Sequence, residues 1–191
     1  LTTFADYALV GNTGITINGN LSLNGNAYAG KGAADKGGVI VSGGSVLNVG
    51  NGITLVSGGD ITVNDGTLTT NNSNLWCQSI VTLGDVGSSV NISGSNGSTF
   101  VKDDLQVEGD FSTVNLDGSY YGYSYQGNNT EEGNHNNSSA IIVNGEKSSV
   151  NMTALKALVL GGRAYIDFAG FSADKAYTTG ESVSLTASQE M

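Results

Sequence analysis

The stretch Gly14 to Gly30, "GITINGNLSLNGNAYAG", decides the reading of the chain. It carries two Asn-Gly pairs, Asn18-Gly19 and Asn24-Gly25, each flanked by alternating apolar residues. Asn-Gly in that setting is a strong signal for a β-hairpin turn. As hairpins, however, the intervening strand would be only Asn20-Leu21-Ser22-Leu23, shorter than the usual five or six residues and with little to bury. As a coil, Ile15 and Ile17 point inward and the chain turns at Asn18-Gly19. Leu21 and Leu23 then point inward before a corner at Asn24-Gly25, and Ala27 and Ala29 follow. Strand residues i and i+2 share a face, and Gly and Asn supply the backbone conformation a sharp corner needs.

A coil must return at a longer fixed period. One apolar series runs through Val39-Ile40-Val41, Ile61-Thr62-Val63, Val81-Thr82-Leu83 and Leu105-Gln106-Val107. A second runs through Val46-Leu47, Leu68, Val90-Asn91-Ile92 and Val114-Asn115-Leu116. A third runs through Ile53-Thr54-Leu55, Leu75 and Phe100-Val101. Three short strands per turn of about 22 residues describe a parallel β-helix, a single-stranded solenoid. Corners that lose strict spacing after residue 30 favour the right-handed form. A β-sandwich of short strands is the structural rival. Six or seven coils would give an object roughly 30 Å long at about 4.8 Å per coil. Thr16, Thr54, Thr62 and Thr82 are expected to point outward.

Composition agrees with a thin stacked core. The 191 residues form one expected domain, with 29 Gly, no Pro and only 13% charged residues. Proline would remove a ladder donor from any central strand. Residues 1–10 and 169–191 are expected to cap the ends of coils spanning 15–168, since open ends invite pairing with other chains. The start at Leu1, with neither Met nor a charged-then-apolar leader, predicts a piece of a longer chain whose signal or anchor lies elsewhere.

The net charge of −10 argues against nucleic acid, whose phosphates need clustered Lys and Arg, and against an anionic membrane surface. No apolar run is long enough to span a bilayer. The one cysteine, Cys77, follows Trp76 with no nearby histidine and is expected to be a buried structural thiol. No nucleophile elbow or phosphate loop occurs, so no catalytic residue, metal ligand or cofactor is assigned.

One segment, residues 117–140, breaks the rhythm and is expected to be an inserted loop. It holds Tyr120, Tyr121, Tyr123, Tyr125 and His135, which form the expected ligand-contact patch, because tyrosines interleaved with small residues suit a sugar or a protein partner. Corner carboxylates at Asp60, Asp65, Asp85, Asp110 and Asp117, with Asp103-Asp104 beside Lys102, raise the alternative of a polysaccharide-active, lyase-like enzyme, in which adjacent coils would supply calcium ligands and the lone Arg163 a base. Corner aspartates more often bond the local backbone.

"FADYALVGNTGITINGNLSLNGNAYAG", "YYGYS", "SSAIIVNGEKSSVNMTALKALVLGGRAYIDF" and "YTTGESVSL" together resemble the extracellular region of PilX-like, pilus-assembly-associated surface proteins of Gram-positive gut bacteria. The resemblance implies a right-handed β-helical ectodomain, held at the cell surface by a membrane segment outside this chain. It also implies a non-enzymatic structural or adhesive role. The expected partners are a glycan or another surface protein, and end-to-end self-association is a further expectation.

Overall fold

The computed structural model describes residues 6–33, 37–122, 138–152, 158–160, 163–168 and 171–173. Every strand pairing is parallel. The strands wind in order. After β1 (Leu9–Gly11), the chain forms β2 (Ile15–Ile17), β3 (Asn20–Leu23) and β4 (Ala27–Ala29), then β5 (Val39–Ser42), β6 (Val46–Val49) and β7 (Thr54–Ser57). Next come β8 (Ile61–Asn64), β9 (Thr67–Asn71) and β10 (Asn74–Cys77), then β11 (Ile80–Leu83) and the long β12 (Ser89–Val101), and β13 (Asp104–Val107) with the long β14 (Thr113–Gly122). The last are β15 (Ser138–Val143), β16 (Ser149–Met152), β17 (Leu158–Leu160), β18 (Arg163–Phe168) and β19 (Phe171–Ala173). Each strand pairs with the equivalent strand one coil away, which makes the chain a parallel β-solenoid.

The coils have three faces. The first is the seven-stranded sheet β2-β5-β8-β11-β13-β15-β18. The second stacks β3, β6, β9, the first halves of β12 and β14, β16 and β19. The third stacks β1, β4, β7, β10, the second halves of β12 and β14, and β17. In β12 and β14 the chain runs through the corner between these two faces in one continuous strand, with a register shift between Gly94 and Ser98.

The core is a set of like-on-like columns. Val39, Ile61, Ile80, Leu105 and Ile141 stack on the first face, and Leu47, Leu68, Val90, Val114 and Val150 on the second; all are buried. Side chains of one layer meet their equivalents about 4.8 Å away, so apolar area is buried without a wide interior.

Hydroxyls tie the coils at the corner between the first and second faces. Ser45, Ser88, Ser112 and Ser148 are all buried there. Ser88 Oγ accepts from Asp65 N at 2.8 Å and lies 2.8 and 2.9 Å from the Leu83 and Val63 carbonyls. Ser112 Oγ accepts from Ser88 N at 3.3 Å, and Ser148 Oγ accepts from Ser112 N at 2.9 Å. Each serine thus satisfies backbone groups that the corner removes from the ladder.

Several expectations are corrected by the register. Ile80, not Val81, pairs with Ile61, so the inward residues of β11 are Ile80 and Thr82. Thr82 points into the core, whereas Thr16, Thr54 and Thr62 are not buried. On the third face Thr99 and Val101 point inward and Phe100 outward. Gly25 is not a left-handed corner: it is where β4's approach lies against Ala8, whose Cβ would meet any side chain there. Gly19, at φ +106°, is the left-handed corner expected of Asn18-Gly19. Leu9 and Val10, within the expected cap 1–10, lie in the strand β1. Residues 117–122 and 138–140 belong to β14 and β15 rather than to an inserted loop; the rest of the expected insertion, 123–137, lies outside the described residues. The segment 169–191 is described only at Phe171–Ala173, a strand.

Candidate functional site

The third face carries an outward column that registers Val10 with Tyr28, Tyr28 with Val56, Val56 with Trp76, Trp76 with Phe100, and Phe100 with Tyr121. Three consecutive rungs are aromatic and stack face to face. Trp76 and Phe100 have ring centroids 4.2 Å apart at 20°, and Phe100 and Tyr121 are 4.9 Å apart at 15°. The cause is the parallel register: equivalent outward side chains repeat at the strand spacing, which is close to ring-stacking distance. Tyr28 is turned instead against Tyr7, edge to face at 6.0 Å.

Trp76 is 49% exposed although it is the largest side chain of the column. One of its faces is covered by Phe100; the other looks toward the rung of Val56, a much smaller residue. The step in size opens a cleft of about 540 Å³. Val56, Trp76 and Phe100 line it from the outward column, and Ser57 and Cys77 from the next, inward position. Gln78 and Lys102, just past the ends of β10 and β12, complete the lining. The volume lies within the range of small-ligand sites.

The sequence-expected patch divides. Tyr121 lies at the end of the ladder. Tyr120, its neighbour, is 1% exposed and fills the inward column below Thr99, so it is a core residue and presents no contact surface. Burial pushes its phenol pKa well up, with Cys77, Asp104 and Asp103 adding to the shift. Tyr123, Tyr125 and His135 lie outside the described residues. Cys77 is buried as expected, and burial followed by the field of Asp60 drives its thiol pKa far above the usual range, which favours the protonated thiol.

The corner aspartates Asp60, Asp65 and Asp110 fasten one coil to the next, accepting from backbone amides of the neighbouring coil rather than of their own turn. Asp65 Oδ1 accepts from Val86 N at 2.9 Å and Gly87 N at 3.0 Å, and these bonds lower its pKa. Asp110 Oδ1 accepts from Glu146 N at 2.9 Å. Asp60 Oδ1 accepts from Ser79 N at 3.1 Å, yet burial outweighs that bond and raises its pKa. Asp104 is buried, with Gln106 Nε2 donating to its Oδ2 at 3.3 Å. Among the described residues no three of His, Cys, Asp and Glu are grouped so as to hold a metal ion, and no helix is long and apolar enough to cross a membrane.

Sequence reasoning passed over Trp76 and Phe100. The signal was parity: Leu75 and Cys77 flank Trp76, so a strand that buries the flanking pair turns the indole outward. No protein-family model, curated protein or solved structure matched this chain in comparisons.

Proposed function

We infer that this chain is a non-enzymatic, extracellular β-helical ectodomain of the bacterial cell surface, pilus-associated, which adheres through its third face. The observation that carries the reading is the Trp76–Phe100–Tyr121 stack, an aromatic ridge on a solenoid whose backbone is hydrogen-bonded coil to coil. Large apolar rings left at a surface mark interaction sites, and aromatic residues dominate contact hot spots. A rigid support loses little freedom on binding. The low charge and lack of proline suit a stacked, persistent spacer.

The test is retention of protein-coated beads on a monolayer of intestinal epithelial cells under flow. Wild-type beads are expected to be retained. Phe100→Ser beads, which break the middle of the ridge, are expected to wash off while the variant still melts cooperatively. Equal retention of the two would overturn the reading.

A further inference from the structure

We propose that the cleft beside Trp76 takes a neutral hexopyranose unit of a surface glycan, seated on the rung of Val56 with its C–H face against the free face of the indole. The inference rests on the adhesive reading above and names its ligand class.

The stack leaves a single large ring face open at this end. Phe100 occupies one side of Trp76 at 4.2 Å, and the opposite side has no aromatic neighbour, because the next rung is Val56. Tyr28, the next aromatic of the column, sits two rungs from Trp76, about 9.6 Å at the strand spacing. The space over Val56 is therefore a vacant rung, one ring thick. A second aromatic ring would fit that height, but the lining is not apolar throughout. Two polar residues, Gln78 and Lys102, line the otherwise mostly apolar cleft past the strand ends. A pyranose matches this two-sidedness: it presents axial C–H groups on a face and hydroxyls around its rim. The face suits an indole, and the rim suits amide and ammonium donors. Neutrality follows from charge. The chain carries seventeen acidic against seven basic residues, and that field disfavours approach of polyanionic glycans.

Trp76 is the sole tryptophan of the chain, so indole emission reports this cleft alone. The experiment titrates the protein with methyl β-galactopyranoside and with cellotetraose, to about 100 mM given the weak affinity of single-ring contacts. A saturable shift of Trp76 emission with at least one sugar is expected. Val56→Phe fills the vacant rung with a fourth ring at an outward position and is expected to weaken binding about tenfold or more. Gln78→Ala removes a rim donor on the far side of the strand end and is expected to weaken binding several-fold with melting unchanged, which covers the case of a Val56→Phe chain that fails to fold. Flat emission with both sugars, while beads remain bound to cells through the ridge, overturns the sugar assignment and leaves adhesion standing. Flat emission together with loss of ridge-dependent retention overturns both. A shift that persists unchanged in both variants places the sugar elsewhere and also overturns the proposal.

Discussion

Thr82 sits one coil beyond Val63 in register, with its side chain fully buried in a column that includes Ile17, Val41, Val63, Val107 and Val143. Its Oγ1 is the one buried side-chain polar atom without a hydrogen-bond partner among the described residues. An orphaned buried hydroxyl costs about 1–3 kcal/mol. Thr82→Val, which exchanges that hydroxyl for a methyl and restores the column, is expected to stabilise the protein by about 1–2 kcal/mol, or roughly 2–8 °C in Tm for a chain of this size. Paired thermal and urea melts check it; an unchanged or lower Tm would mean the hydroxyl is satisfied in solution.

Removing a serine from the buried corner should do the reverse. Ser88 accepts from one backbone amide and faces two carbonyls. Ser88→Ala is expected to cost about 1–3 kcal/mol, and Ser22→Ala, at an exposed strand position, less than about 0.5 kcal/mol. Urea midpoints of the two variants make the comparison. Equal losses would show that the corner hydroxyls are not coupling the coils.

Asp60 and Asp65 should make opposite contributions as pH changes. Burial raises the Asp60 pKa above the ordinary 3.8, so the folded protein holds that proton more tightly than the unfolded chain. Its charge then opposes folding increasingly as pH rises through the folded value. The backbone amides of Gly87 and Val86 lower the Asp65 pKa below 3.8; its contribution is present above 3.8 and is lost as pH falls through the folded value. Asp60→Asn should therefore gain on wild type as pH rises from 3.8 through the folded Asp60 value, and Asp65→Asn should fall behind as pH rises from the folded Asp65 value to 3.8 and keep a constant deficit above it. Denaturation curves at stepped pH read both slopes. Parallel slopes for the two variants would contradict the assignment.

Two glycines separate backbone conformation from close approach. Gly38 and Gly43 both have positive φ, +90° and +64°. A Cβ at Gly43 meets nothing, whereas one at Gly38 runs into the Asp60 carbonyl. Gly43→Ala should cost about 1–2 kcal/mol, the strain of left-handed backbone alone, and Gly38→Ala distinctly more. Comparable melting temperatures for the pair would show that the coils separate easily at that corner.

The fold was legible because its period is written in apolar triplets about 22 residues apart, and stacking forces equivalent residues to be alike. Exact register was less legible. Ile80-Val81-Thr82-Leu83 offers apolar residues at both parities, and only the neighbouring coil decides between them: Ile61 takes Ile80 as its partner and drives Thr82 inward. A slip of one residue exchanges the two faces of a strand, and the same slip hid the ridge. Phe100-Val101 reads as a core pair, yet Val101 alone is inward. Tyr120 and Tyr121 look alike in the sequence and lie on opposite sides of β14. The step from Val56 to Trp76 is a relation between residues of adjacent coils, invisible until the register is known.

The most direct measurement of the central claim compares two faces in the bead assay. Trp76→Ser removes the exposed end of the ridge. Asn91→Ser alters the second face, where Asn115 Nδ2 donates to Asn91 Oδ1 at 2.8 Å, without touching the ridge. Retention on epithelial cells is expected to fall about tenfold or more with Trp76→Ser and to stay at the wild-type level with Asn91→Ser. Retention that survives the loss of Trp76, or that fails only when the second face is altered, would contradict adhesion through the aromatic ridge.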